Sequence, residues 1–343
     1  MRMRVSHFSA GLAFLLALVL LAACAGPGVS ATSAPASVSV SSAALVSSTS
    51  VPGSVSMPVS SVGSSSSIPV AEVTPTLGKE YYPTVDGSTA TMPLMAKIYS
   101  EVCGVPLEEA EKMVKVTQTT NAWRRILVRE DENLLLLVYE ASSGLKEWDR
   151  YSAAFEELEI YPIGRDALVF LVNNKNRVSN LSKQQLRNIY TGKTTNWSRV
   201  GGTSGPIAAY QRNVTSGSHT LFLELLMQGA EPIESPTQWT YGEMGGMIEA
   251  VASYDGAGGA IGYSVYYYAK EMYANPDLKM LAVDGVMPSY ETIADGSYPL
   301  TNDFYVVIRK DEPEDSPARL LMNWILSDAG RQALIDAGYV PIR

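Results

Sequence analysis

An α/β fold is the expectation for this chain of 343 residues. Short apolar runs bounded by Gly, Pro, Asn or Asp alternate with segments whose apolar residues recur at helical spacing. The alternation starts near residue 77, after a Ser-rich stretch of different composition, and continues to the end of the sequence. Apolar runs at 134–139, 167–172, 207–210, 260–263 and 304–308 are the expected strands, and their unbroken hydrophobicity points to buried, mainly parallel sheets. A hydrophobic content of 46% suffices for a core of that size.

Helix starts and stops are equally legible. Ser182 and Gln185 form a capping box, Leu186 and Ile189 carry the apolar face, and Gly192 ends the segment. Near the end, Ser316 and Pro317 supply an N-cap and a first helical position ahead of Leu320, Leu321, Trp324 and Ile325. Those apolar side chains read as core, not as a cofactor box.

Upstream of the domain, Arg2 and Arg4 precede an apolar run at 11–20, closed by Leu21, Ala22, Ala23 and Cys24. A bilayer-crossing helix needs about 20 apolar residues, whereas a signal peptide needs roughly 7 to 15. Residues 1–23 are therefore expected to be a signal peptide. The four residues ending at Cys24 resemble the lipobox of bacterial lipoproteins, in which cleavage precedes the cysteine and its thiol carries a diacylglycerol. Several acyl chains would hold the protein stably on the extracytoplasmic face of the cell membrane. Residues 24–76 then read as the lipidated cysteine and a Ser-, Val- and Pro-rich disordered linker, with no aromatic residue before Tyr81.

Lipidation of Cys24 leaves Cys103 without a disulfide partner, so it is expected to be a small buried hydrophobe. A formal net charge of -9 and the lack of a basic stripe exclude a nucleic-acid surface. His219 and Cys103 are the only nitrogen or sulfur ligands of the usual kinds left in the mature chain, which argues against a metal site.

Three segments place small hydroxyl residues just ahead of a helical pattern. They are 86–93, with Ser88, Thr89 and Thr91; 117–121, with Thr117, Thr119 and Thr120; and 212–218, where Arg212 accompanies Ser216, Gly217 and Ser218. Helix N-termini expose unpaired N–H groups, hydroxyls add donors, and glycine lets the backbone come close, so the combination suits an anion. Enzyme motifs fail by contrast. Arg187 stands where a P-loop ending in Gly192, Lys193 and Thr194 requires glycine, Ile261 replaces the third glycine of a dinucleotide fingerprint, and no Gly-x-Ser-x-Gly elbow occurs. No catalytic residue and no cofactor is expected.

Residues 77–343 resemble bacterial phosphate-binding proteins, the substrate-binding components of phosphate ABC transporters. The stretches that carry the resemblance are 163–169 (Ile-Gly-Arg-Asp-Ala-Leu-Val), 189–193, 195–197, 210–218, 259–263 (Gly-Ala-Ile-Gly-Tyr) and 338–341 (Gly-Tyr-Val-Pro). The resemblance implies a two-lobed fold of the type II periplasmic-binding-protein kind, with two mixed sheets flanked by helices and a two-crossing hinge. Lobe I would comprise 77–163 and 265–343, and lobe II 164–264. It also implies the partners: inorganic phosphate and the membrane permease of an ABC transporter.

Position by position, the resemblance makes Arg212 the phosphate-gripping arginine, with Ser216, Gly217 and Ser218 as donors. Ser88, Thr89 and Thr91 fall in the first loop, with either threonine a candidate for the cleft, and Thr120 heads the second helix. Glu140 stands where family members commonly carry an Asp that accepts a proton-bearing phosphate oxygen. Two placements are open for it, in the cleft or as a solvated charge at a strand end. A carboxylate in the cleft would reject fully ionised sulfate. Val214 replaces an acidic residue that orients the arginine in some members, and Arg124 and Arg125 read as solvated helix-surface charges. The function expected is phosphate capture and delivery, with another oxyanion (sulfate or molybdate) or phosphate sensing as alternatives.

Overall fold

The computed structural model describes residues 77–235, 240–253 and 259–342. These belong to one compact unit, Pro69–Arg343. The signal peptide, Cys24 and the linker lie outside the described residues. No described helix is long and apolar enough to cross a membrane.

The strands, in chain order, are β1 (Thr84–Gly87), β2 (Leu134–Tyr139), β3 (Leu158–Asn173), β4 (Asn180–Leu181), β5 (Ala208–Ala209), β6 (Gln211–Arg212), β7 (Thr240–Tyr241), β8 (Ala260–Val265), β9 (Leu278–Met280), β10 (Ala282–Val283), β11 (Thr301–Arg309) and β12 (Val340–Pro341). The expected strands are all present. β3 is 16 residues long, more than twice its apolar run at 167–172, because Glu159, Pro162, Gly164, Arg165 and Asp166 interrupt the hydrophobicity of its first half without interrupting its pairing.

β3 is the spine of the molecule. From Leu158 to Ala167 it pairs antiparallel with β11, which pairs antiparallel with β2, and β2 runs parallel to β1. From Leu168 onward β3 exchanges β11 for β8, matching Leu168 with Val265, and β5 lies parallel to the far side of β8. Two mixed sheets therefore share one long strand and form a continuous path β1-β2-β11-β3-β8-β5. The mainly parallel sheets expected from the apolar runs are corrected here, since β3 and β11 enter antiparallel and carry most of the pairing. The change of sheet falls between Ala167 and Leu168, a few residues later than the expected crossing. The chain leaves β8 at Val265, but residues 278–283 stay with the second sheet, through β9 on Leu171–Asn173 and β10 on β4.

β2 shows why its sequence is apolar throughout. Leu135, Leu137 and Tyr139 face the main core, while Leu134, Leu136 and Val138 face a second cluster with Trp123 and Ile126. Both faces are buried, so no polar residue alternates. The expected caps form as well. Ser182 and Gln185 make a reciprocal capping box, and Ser316 accepts from the Arg319 amide with Pro317 in the first turn. Cys103 is half-buried, and its thiol donates to the Leu77 carbonyl at 3.3 Å.

Candidate anion-binding cleft

Close backbone approach starts the site. Gly87 ends β1 so near to β2 that a Cβ there would fall 1.8 Å from the Leu137 carbonyl oxygen. Glycine is thus required where the chain turns into the first loop. Ser88 follows; its amide donates to Leu137 O at 3.2 Å, and its Oγ accepts the Tyr139 amide at 3.0 Å and lies 2.8 Å from Thr119 Oγ1. Thr91 is fully buried, and its hydroxyl is held by the carbonyls of Ser88 and Leu137. It braces the loop, while Thr89 lines the cleft.

The second loop brings Gln118, at φ 73°, and Thr119 to the same place. The helix begins at Thr119, one residue earlier than Thr120 would require, so Thr119 faces Ser88 and Thr120 does not line the cleft. In the third loop Ser216 caps the helix Gly217–Leu221 by accepting the His219 amide at 3.1 Å, with Ser218 Oγ 3.3 Å from Ser216 Oγ. Gly217 faces the second loop so closely that a Cβ would lie 2.3 Å from Thr119 Oγ1.

Arg212 closes the ring. It is 4% exposed, Nε donates to the Tyr241 carbonyl at 3.1 Å and Nη2 to the Gly242 carbonyl at 3.0 Å. Nη1 is buried with no hydrogen-bond partner, and no carboxylate pairs with the guanidinium among the described residues. Burial pushes its pKa down to about 10. At about 1.4 kcal/mol per tenfold in proton affinity, that corresponds to a destabilisation of roughly 3 kcal/mol. A buried cation with an unused donor is costly unless an anion meets it. With Val214 exposed, backbone carbonyls and not an acid orient the guanidinium.

The space between these loops is about 20 Å³, lined by Ser88, Thr89, Thr119, Arg212, Ser216 and Ser218 among others. That scale fits a compact ion, not an organic solute of several hundred Å³. A larger groove of about 430 Å³ beside Tyr82, Tyr99 and Val116 lies elsewhere; of its cations Lys79 and Arg125 are paired with acids, and Lys115 is solvent-exposed. Arg125 is thereby corrected: it is partly buried against Asp86 and Asp131, not solvated, whereas Arg124 is exposed.

Glu140 takes the second of its two placements. Its carboxylate pairs with Lys146, accepts the Tyr305 hydroxyl at 2.7 Å, and does not line the cleft. Tyr139 lines it instead, with its hydroxyl donating to Asp166 Oδ2 at 2.6 Å. Glu140→Gln is accordingly expected to change anion affinity less than about twofold, well under the tenfold that 1.4 kcal/mol represents. Titration of that variant beside the parent checks it. Gln118, Thr119 and Tyr139 are the polar residues of the cleft that sequence reasoning did not assign to it, and Ala90, Met244 and Val265 add apolar lining. The Thr119–Thr120 doublet offered a signal for the first step; Tyr139, closing an apolar run, offered none.

His219 is packed behind Arg212, with Nδ1 2.8 Å from the Tyr263 hydroxyl, which also accepts the Arg212 amide at 3.0 Å. The tyrosine proton is therefore free to go to a neutral histidine. Burial, then the Arg212 charge, lowers the His219 pKa to about 4. Its stabilising contribution is present above the unfolded value of 6.5 and is lost as pH falls toward 4. Asp166 has the opposite sign: burial raises it to about 6, so its contribution is full below 3.8 and lost as pH rises through 6. Replacing His219 with Asn should make the protein more stable relative to the parent on going from pH 7 to pH 4, by about 2 kcal/mol. Urea unfolding at the two pH values measures it, and superimposable pH profiles would contradict it.

The α/β frame thus places a small cleft lined by hydroxyls and one buried arginine between its loops. The chain belongs to the PBP superfamily, whose domain matches residues 141–329. The phosphate-binding protein PstS of Bacillus subtilis (strain 168) is 29% identical over 171 residues, covering 50% of this chain and 53% of that protein. PstS of Staphylococcus haemolyticus is 27% identical over 208 residues, covering 59% and 64%. The chain thus spans between half and two thirds of the length of these curated relatives. Among solved structures, a putative phosphate ABC transporter substrate-binding protein with bound phosphate from Clostridium perfringens superposes with a TM-score of 0.60 at 21% identity, over 76% of this chain and 100% of that one. An ABC-type phosphate transport receptor from Vibrio cholerae gives 0.56 at 20%, over 75% and 99%. These similarities bear out the resemblance read from the sequence, and the structures support the fold.

Proposed function

We propose that this chain is a non-catalytic extracytoplasmic lipoprotein that captures phosphate in the cleft and presents it to the permease of an ABC transporter. The observation that carries the reading is the buried Arg212, whose Nη1 lacks a partner among the described residues and stands in a ring of hydroxyls. A preformed charged fork and neutral donors bind a tetrahedral oxyanion without a cofactor. The names of the relatives direct the choice to phosphate. Calorimetric titration of the chain from Cys24 onward with inorganic phosphate tests it, with saturable one-to-one binding expected. The absence of both heat and thermal shift at millimolar phosphate would overturn the reading.

Anchoring is tested separately. Cys24→Ala is expected to move the protein from the membrane fraction to the soluble extracytoplasmic fraction and to abolish labelling by palmitate, since several acyl chains supply the attachment. Retention of label would contradict it.

A second reading, a less selective oxyanion receptor, is favoured by the placement of Glu140. No carboxylate or histidine lines the cleft among the described residues, so a fully ionised anion meets no unpaired acceptor there. Sulfate competition in the phosphate titration separates the two readings. Displacement at comparable concentration supports the broader receptor, and indifference to a hundredfold excess supports phosphate selectivity.

A further inference from the structure

Among the described residues Asp166 is a buried acid that touches both the point where β3 changes sheet and the segment that leaves β8. It precedes the residue pair, Ala167 and Leu168, at which β3 changes from β11 to β8. Its Oδ1 accepts the Ala167 amide at 2.7 Å and the Tyr267 amide at 3.1 Å, and Tyr267 lies two residues beyond the end of β8. Its Oδ2 accepts the Tyr139 hydroxyl at 2.6 Å. The carboxylate is 2% exposed and has no cation partner among the described residues, so neutral hydrogen-bond donors hold its charge, the Tyr266 backbone among them. Burying a charge in this way is expensive, and donors from three parts of the chain converge to offset it.

From that point two lines of contact reach the cleft. Tyr139 lines the cleft directly, and its amide fixes Ser88 Oγ, which faces Thr119. Tyr267 stacks on Tyr339 at 3.6 Å between ring centroids, and the Tyr339 hydroxyl donates to the Ala90 carbonyl at 2.7 Å, where Ala90 also lines the cleft. Phe304 fills the space between Tyr139 and Tyr339, at 5.8 and 5.5 Å from their rings. The crossing strands and the cleft floor are thus one packed aromatic and hydrogen-bonded assembly with Asp166 at its centre.

We infer that Asp166 is a positioning residue, whose carboxylate holds the Tyr139 hydroxyl and the segment leaving β8 together so that the floor of the anion cleft is set by β3, the strand shared by the two sheets. The inference rests on the anion-binding reading of the cleft. It assigns Asp166 no contact with the anion; its effect passes through Tyr139 and Tyr267.

A double-mutant cycle tests it with Asp166→Asn, Tyr139→Phe and the pair, each compared with the parent for phosphate affinity and for amide exchange in phosphate-free protein. Tyr139→Phe removes only the hydroxyl and keeps the ring in the core, so it reads the contact even where Asp166→Asn folds poorly. Each single change is expected to weaken phosphate binding about tenfold, and the pair no more than about tenfold, because both break one contact. In phosphate-free protein, Tyr139→Phe should speed exchange of the Tyr267 amide, which it does not touch. Losses that multiply to about a hundredfold, or binding within twofold of the parent in both single variants, overturn the inference. If the parent itself does not bind phosphate, the reading of the cleft fails, and exchange alone then decides the role of Asp166. Transmission from Tyr139 to the Tyr267 amide supports it, and an unchanged Tyr267 amide overturns it.

Discussion

Arg212→Met should weaken phosphate binding by about thirtyfold to several thousandfold while leaving the unliganded protein as stable as the parent to within about 1 kcal/mol. Truncating one partner of a buried, hydrogen-bonded charge pair costs about 2 to 5 kcal/mol, which sets that range. Stability should follow a different rule. The guanidinium is buried without a carboxylate and its pKa is pushed down to about 10, so the empty site carries a desolvation cost that the thioether does not. Against this stand the two lost bonds to the Tyr241 and Gly242 carbonyls. The measurement is a thermal melt with and without phosphate. The parent should show a ligand-dependent rise in Tm, as mass action requires, and the variant a smaller one at the same phosphate concentration. A variant that keeps the full rise would place the anion elsewhere.

Gly217→Ala is the second change expected to have a large effect, and it acts by geometry alone. A methyl group at that position would lie 2.3 Å from Thr119 Oγ1 and 3.2 Å from its Cβ. Thr119 cannot simply turn aside, being 3% exposed and bonded to Ser88. The second and third loops would have to separate, taking Ser216 and Ser218 away from Ser88 and Thr119. Overpacking of this kind costs about 1 to 3 kcal/mol. If that cost falls mainly on the bound state, affinity drops about tenfold to a hundredfold with only a modest change in Tm. Titration and melting of the same sample distinguish the outcomes. Unchanged affinity would show that the two loops do not meet around the anion.

The contrast between Thr119 and Thr120, and between Tyr139 and Glu140, shows where sequence reasoning reaches its limit. Arg212, Ser216, Gly217 and Ser218 were legible because their chemistry is local: a charged fork and a capping turn lie within seven consecutive residues. Ser88 and Thr89 were legible for the same reason. A helix that begins one residue earlier moves a different hydroxyl into the cleft, and helix ends are the part of a pattern least fixed by periodicity. Glu140 follows a strand whose side chains alternate between two buried clusters, and its carboxylate is drawn to Lys146 and to Tyr305 on the neighbouring strand β11. The lysine is six residues away, but the tyrosine is 165 residues away and is brought there only by the pairing of β2 with β11. Similarly, the first half of β3 was hidden because its pairing with β11 tolerates charged and turn-forming residues that a lone strand would not show. What the pattern of residues conveyed was the alternation of elements and the loops between them; the partners of each strand required the fold.

Arg212 and the surrounding hydroxyls are proposed to act as one site for a tetrahedral oxyanion. The most direct measurement is isothermal titration of the chain from Cys24 onward with inorganic phosphate, in parallel with Arg212→Met. A saturable one-to-one isotherm is expected for the parent and binding at least about thirtyfold weaker for the variant. An isotherm of equal affinity in both, or none in either, would contradict it.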